Sequence, residues 1–158
     1  MRAITAMDPY RVIGYRGKIP WHYPEDLKFF KDSTVGKNLL MGRTTFEALG
    51  KPLPGRFTYI LTTDRAKLLT PLGTSTCYVS GEWVVEQFHK DPEKFRNMWL
   101  CGGAKVYKEF LPLCSSIYVT HILEEYEGDT YMPEFEHLFP NGAVIRETKN
   151  FWIVKYWK

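Results

Sequence analysis

Cysteine is scarce in this sequence: Cys77, Cys101 and Cys114 are the only three, and none belongs to a CxxC pair. An odd number leaves one thiol unpaired in any disulfide scheme, which argues against a disulfide-built scaffold and for a reducing compartment. No apolar run approaches the roughly 18 residues that a membrane helix needs. The opening residues reach Asp8-Pro9 too soon to form a signal-peptide core. The expected setting is the cytoplasm. No block of like charge marks a nucleic-acid or membrane tract, so neither partner is expected. The four histidines, His22, His89, His121 and His137, lack metal-ligand spacing, and no Ser-His-Asp or Cys-His signature is present, so no metal is expected. Repeats, low-complexity tracts and Gly/Ser linkers are missing too, and residues 1–158 read as one domain and a monomer.

What is present is globular. The hydrophobic share of 44% and charged share of 25% lie near the soluble average, whereas 16% aromatic residues is high for so short a chain and admits flat aromatic ligands. A net charge of +3 suits anionic small molecules without deciding among them.

Ala3 to Met7 reads as an apolar strand. Asp8 to Trp21 carries Pro9, Gly14, Gly17 and Pro20 with neither helical nor alternating period, a long loop of the kind that often forms a lid or binding loop. Pro24-Glu25-Asp26 opens a helix to about Asp32, with proline in its first turn and acids complementing its dipole. Asn38 to Met41 is a buried-type strand ending in Gly42, followed by a helix from Thr44 to Leu49 that Gly50 stops. Phe57 to Thr62 and Cys77 to Val79 read as strands around a looser stretch. Glu82 to His89 reads as a helix with Trp83, Val84 and Phe88 inward. Met98 to Cys101 is a buried strand, and Gly102-Gly103 turns into a helix from Ala104 to Leu111. Ser116 to His121 follows, and Ala143 to Thr148 with Phe151 to Trp157 form a hairpin turning at Lys149-Asn150. Strands alternating with helices imply an α/β fold: a central mixed, mostly parallel sheet flanked by helices and closed by a C-terminal antiparallel hairpin.

Asp26 is the most informative residue, because Phe29 and Phe30 lie three and four positions later on the same helix face, which places a carboxyl toward an apolar cleft. Taken alone it reads more readily as an ordinary first-turn acid, of which Asp8, Asp32 and Asp91 are plainer examples. The run Met98 to Lys105 places two glycines between strand and helix, and Gly42-Arg43-Thr44-Thr45 repeats the arrangement with a cation and two hydroxyls; each turn can bring backbone N–H groups to a phosphate. Without the full GxGxxG spacing each is weak evidence, but two together suit a dinucleotide. Arg56 is either a carboxylate-binding fork or a solvated loop residue, and Trp21 either lines a pocket or packs.

In order, these residues resemble the dihydrofolate reductase family across nearly the whole chain. The resemblance rests on Ile4 to Met7, Ile13-Gly14, Ile19 to His22, Pro24 to Phe30, Met41 to Glu47, Pro52 to Arg56, Gly102 to Tyr107 and Gly128-Asp129-Thr130. It implies reduction of 7,8-dihydrofolate to 5,6,7,8-tetrahydrofolate by hydride transfer from NADPH, in service of one-carbon metabolism, with dihydrofolate and antifolate inhibitors as the small molecules bound. Asp26 is similar to the family's only acid in the pterin pocket, with Thr120 behind it and Trp21 holding an ordered water. Ile4, Ala6, Leu27, Phe30, Leu49, Leu53, Cys101 and Tyr107 match the substrate's surroundings, and Arg56 the clamp on its glutamate α-carboxylate. Ala6, Ile13, Gly14, Ile19, Gly42, Arg43, Thr44, Thr45, Leu61, Thr62, Thr63, Cys101, Gly102, Gly103, Ala104, Lys105 and Val106 match the cofactor's surroundings. Arg43, Thr63 and Lys105 fall near the ribose 2′-phosphate, which favours NADPH over NADH. Two positions depart from the commoner pattern: Cys101, where a branched aliphatic residue usually precedes the glycines, and Tyr23, where leucine is frequent. Rival expectations are a same-fold reductase of a ribose-phosphate aminopyrimidine, against which Asp26 and Arg56 argue, and a non-catalytic binding module.

Overall fold

The computed structural model describes residues 1–70 and 72–158. Eight strands form one sheet. In chain order they are β1 (Arg2–Met7), β3 (Asn38–Gly42), β4 (Phe57–Leu61), β5 (Thr76–Val79), β6 (Met98–Leu100), β7 (Ser116–Ile122), β9 (Asn141–Glu147) and β10 (Phe151–Trp157). Their spatial order is β5-β4-β3-β6-β1-β7-β10-β9. The first six pair in parallel, and β10 runs antiparallel to both β7 and β9. The expected mixed sheet with its closing hairpin is therefore present. Two further strands, β2 (Val12–Gly14) and β8 (Thr130–Tyr131), pair antiparallel in a separate ribbon.

Burial explains why the central strands read as continuous apolar runs. Leu39, Leu40 and Met41 of β3 and all of β6 are buried, because helices cover both faces of a parallel sheet. Alternation along β1 sorts its residues: Ala3 and Met7 join a large core with Tyr107, Phe110 and Phe135, while Ile4 turns to the opposite face with Leu39, Met41 and Trp99. That second face carries α1 (Pro24–Thr34), whose Phe29 and Phe30 pack on it. Strand β9 is exposed throughout and forms one edge.

The helices are α1, α2 (Arg43–Leu49), α3 (Arg65–Leu68), α4 (Gly81–Lys90) and α5 (Ala104–Phe110), among the described residues. Helix α1 runs two residues past its expected end. The reason is tertiary: buried Thr34 returns its hydroxyl to the Phe30 carbonyl and accepts from Arg56, which holds the last turn. The looser stretch after β4 contains α3, capped by the Asp64 carboxylate on the Ala66 N–H. On α4, Val84 is buried as expected, but Trp83 is 37% exposed and stacks on Tyr59 instead of entering the core. Gly50, at φ +77°, ends α2 in the left-handed conformation that glycine adopts without a Cβ penalty.

Candidate active site

Asp26 sits in the first turn of α1, with its carboxyl turned toward β7. Thr120 Oγ1 donates to Asp26 Oδ1 at 2.7 Å, and Thr120 is itself buried. Ala6 is the register partner of Thr120 on β1, so an alanine and a threonine form the floor under the acid. Burial raises the Asp26 pKa above its ordinary value, and the Thr120 hydrogen bond opposes that rise. Among the described residues no lysine or arginine pairs with Asp26. It is a lone carboxyl in an apolar wall. Trp21 is buried beside it in sequence, packed with Val12, Ile122, Phe151 and Ile153 and tilted against Tyr126 at 5.3 Å between centroids.

Arg56 lies at the other end of α1. Its Nε donates to the Pro54 carbonyl at 3.0 Å and its Nη1 to Thr34 Oγ1 at 3.1 Å, while the guanidinium carbon stands 6.0 Å from the Phe30 centroid. It is only 7% exposed, yet no carboxylate among the described residues comes within ion-pair distance of it. A buried cation held by neutral acceptors alone is a costly arrangement that an anion would relieve. Asp26 and Thr34 are eight residues apart, so the acid and the arginine bracket about 12 Å of helix. Along that length Phe30, Leu53 and Cys101 pack against the core of Ile4, Leu39, Met41 and Trp99. Leu27, Leu49 and Ile19 are 51%, 43% and 62% exposed, so none of them is consumed by the core. Tyr107 is different. It is buried, and its hydroxyl donates to the Ile4 carbonyl at 2.7 Å, which supports β1 from below.

The two glycine turns meet. Gly42 N–H donates to the Gly102 carbonyl at 2.8 Å, and Cys101 N–H donates to the Leu40 carbonyl at 2.9 Å. A Cβ on Gly42 would stand 3.1 Å from Val106, and one on Gly103 would stand 3.2 Å from the Thr45 hydroxyl. Gly102 has φ +114°, a conformation that side chains rarely adopt. Glycine at these positions lets β3, α2, β6 and α5 approach closely and leaves a narrow backbone-lined cradle. Around it stand Thr44, exposed, and Ala104, half-buried, with Lys105 exposed on α5. Arg43 is held loosely, 3.7 Å from Glu47 and 4.0 Å from Asp64. Leu61 and Thr62 are buried at the end of β4, and Thr63 is exposed just beyond. Cys101 donates its thiol to the Trp99 carbonyl at 3.3 Å, and burial pushes its pKa up, so it remains a neutral thiol.

The segment from Asp8 to Trp21 departs from the expected featureless loop. Its centre is β2, paired with β8, and an isolated bridge joins Tyr15 to Lys18. Asp8 is no self-solvating acid: it is 1% exposed, and its carboxylate accepts from the N–H groups of Tyr10, Val12 and Tyr126. Ile13 packs against the large core, and the Gly14 carbonyl accepts from Asp129 N–H at 3.0 Å. Sequence periodicity missed these contacts because strands of two and three residues are too short to show any.

The fold and site together define an α/β protein with an acid and a buried cation at the two ends of one helix, neither paired with an opposite charge among the described residues, and a glycine-lined cradle at the strand-to-helix turns, where such sheets bind ligands. The dihydrofolate reductase family model matches residues 1–148, and the chain belongs to that family. It is 36% identical over 148 residues to a dihydrofolate reductase of Buchnera aphidicola, covering 93% of this chain and 86% of the relative. It is 37% identical over 133 residues to that of Bacillus subtilis, covering 84% and 75%. Among solved structures, dihydrofolate reductase from Enterococcus faecalis complexed with NADP(H) and RAB-propyl superposes with a TM-score of 0.76, at 35% identity over 98% of this chain and 92% of that one.

Proposed function

We propose that this chain reduces 7,8-dihydrofolate to 5,6,7,8-tetrahydrofolate by hydride transfer from NADPH, and so supplies one-carbon metabolism. Family membership supports the reaction. The observation that carries it on this chain's own residues is the pairing of Asp26 and Arg56 at the two ends of one apolar wall, each without an internal charge partner among the described residues. A pterin with a carboxylate-bearing tail has the complementary polarity: donors at one end and an anion at the other.

In this reading Asp26 accepts from the 2-amino and N3 side of the ring. Its charge, in a cleft of low dielectric, favours the protonated substrate, with solvent as the source of the N5 proton. Thr120 fixes the carboxyl's angle, and Trp21 holds an ordered water. Ile4, Ala6, Leu27, Phe30, Leu49, Leu53 and Cys101 wall the rings, and Arg56 forks onto the tail carboxylate. Tyr107 serves from beneath through Ile4. When bound, NADPH supplies the hydride that reaches C6. The residues at the cradle fit such a group: Gly42, Gly102 and Gly103 leave the space that a Cβ would fill. Around them Thr44, Thr45, Ala104, Val106, Leu61 and Thr62 line its path, Ala6, Ile13, Gly14 and Ile19 border the nicotinamide end, and Arg43, Thr63 and Lys105 offer donors to a 2′-phosphate. These residues orient two flat rings at contact distance, where much of the rate arises.

We also assign the chain to the cytoplasm, as a single-domain monomer that binds folate-like inhibitors and neither nucleic acid nor membrane. Three free cysteines support the compartment; no described helix is long and apolar enough to cross a membrane. The test is spectrophotometric. Purified protein should oxidise NADPH only when dihydrofolate is added, and no oxidation across neutral and acid pH would sink the proposal.

A further inference from the structure

Tyr23 ends the segment that leads into α1, and its carbonyl accepts from the N–H groups of Asp26 at 3.0 Å and Leu27 at 3.1 Å. Whatever holds Tyr23 therefore sets the first turn of α1 and the direction of the Asp26 carboxyl. Its ring meets Phe151 edge-on and packs beside Val12, Trp21, Ile122 and Ile153. Its hydroxyl reaches the hydroxyl of Tyr126, 103 residues away, at 2.7 Å. The Tyr126 hydroxyl in turn lies 3.2 Å from Glu124 Oε2. The Tyr23 hydroxyl is also 3.5 Å from that Glu124 oxygen, so the two phenols and the carboxylate form one cluster; with Tyr23 donating to Tyr126 and Tyr126 donating to Glu124, both phenolic protons are satisfied on an exposed carboxylate.

Tyr126 makes two further contacts. Its ring tilts against Trp21, and its N–H donates to Asp8 Oδ2 at 3.0 Å. Asp8 is the residue that gathers the start of the loop, through Tyr10 and Val12. One segment, residues 124–126, thus grips both ends of the loop that precedes the acid. Within that grip the phenolic pair is a side-chain hydrogen bond that ties Tyr23 to Tyr126, and hydrogen bonds are directional where apolar contacts are not.

We propose that the Tyr23–Tyr126–Glu124 chain is a positioning latch: it fixes Trp21 and the first turn of α1 against β7, and thereby holds Asp26 at the depth and angle that its chemistry requires. Both tyrosines are positioning residues that act through Asp26 and Trp21. Opening the latch frees the start of α1 and lets water reach the acid. The kinetic consequence rests on the reductase function proposed above; the effect on Asp26 itself does not.

The experiment follows the Asp26 carboxyl by carbon-13 NMR in the full unliganded chain, in wild type, Tyr23→Phe, Tyr126→Phe and the double variant. Each phenylalanine keeps the ring packing and removes one hydroxyl. In both single variants the Asp26 titration should move down toward the ordinary carboxyl range, and the double variant should move it little further, because one link is broken in each case. Hydride transfer at neutral pH should fall roughly threefold to tenfold, the scale of one hydrogen bond, with cofactor affinity preserved. Glu124→Ala should give part of the same shift, and Glu124→Gln, which keeps an acceptor, should recover most of it. Lower melting temperatures with an unmoved Asp26 titration in every variant would overturn the latch and leave the pair a purely structural contact. If Tyr126→Phe fails to fold, Tyr23→Phe and the exposed Glu124 pair decide the matter. Wild-type protein without NADPH oxidation would refute the reductase function alone, since the titration still decides the latch.

Discussion

Thr120 donates its hydroxyl proton to Asp26 across the gap between β7 and α1, at 2.7 Å, from a position buried beneath the acid. The bond favours the charged form of a carboxyl whose surroundings favour the neutral form. Thr120→Val removes the donor at nearly constant volume, so the Asp26 pKa should rise further. The pH at which activity falls by half should move with it, upward, as measured by the pH profile of hydride transfer.

Asp26→Asn removes the charge but keeps the size. Hydride transfer near neutral pH should drop by roughly 10²–10⁴-fold, the range of acid–base catalysis, and recover in part as falling pH protonates dihydrofolate in solution. Stability should run the other way. Because the folded carboxyl titrates above the unfolded value of about 3.9, the folded state holds more proton between those two values, and wild-type stability falls as pH rises through that window. The asparagine variant lacks this loss. Denaturant midpoints at neutral pH should be equal or higher for the variant; a lower midpoint would make the activity defect structural.

Arg56→Lys keeps a cation but loses the fork and the donors to Pro54 and Thr34. Affinity for dihydrofolate should weaken, whereas a pterin substrate lacking the glutamate should bind nearly as before. An equal penalty on both would show that Arg56 acts only by holding the end of α1.

Arg43→Ala should cost about 1–3 kcal/mol of NADPH binding, the scale of a charged hydrogen bond, and leave NADH binding almost unchanged. Arg43 has only distant carboxylates to lose, at 3.7 and 4.0 Å, so the fold should tolerate the change. Titration calorimetry with both cofactors separates the outcomes, and equal losses would remove Arg43 from the 2′-phosphate.

Gly128→Ala should disrupt the β2–β8 ribbon. A Cβ there would fall 2.2 Å from Val12 Cγ1 and 2.7 Å from Cγ2, and Val12 is a buried branched side chain with no free end to swing away. A cost of about 1–3 kcal/mol is expected from overpacking. Val12→Ala in the same chain should restore much of the lost melting temperature, whereas a single variant as stable as wild type would mean that the ribbon yields freely.

Elements with a period of their own were legible in the sequence. The six parallel strands, the closing hairpin and four of the helices follow from apolar runs, prolines at first turns and glycines at ends, because those signals act within a few residues. Asp26 on the inner face of α1 was legible for the same reason, since helical spacing alone places it with Phe29 and Phe30. The roles of the glycine turns came from resemblance and not from spacing, as neither turn carries a full phosphate motif.

Only the tertiary structure decided the rest. Ribbon β2–β8 is too short for any period to announce it, and it exists because distant backbone groups find one another. Asp8 looks like a solvated turn acid until Tyr126 is brought within 3.0 Å of it. Arg56 looks like a loop residue until the last turn of α1 closes over it and buries its charge without an acidic partner among the described residues. The sequence by itself settles what each segment prefers, because propensity and amphipathicity are local. Burial, charge isolation and hydrogen-bond partners are properties of neighbours in space, and they arise only when the sheet brings segments a hundred residues apart into contact.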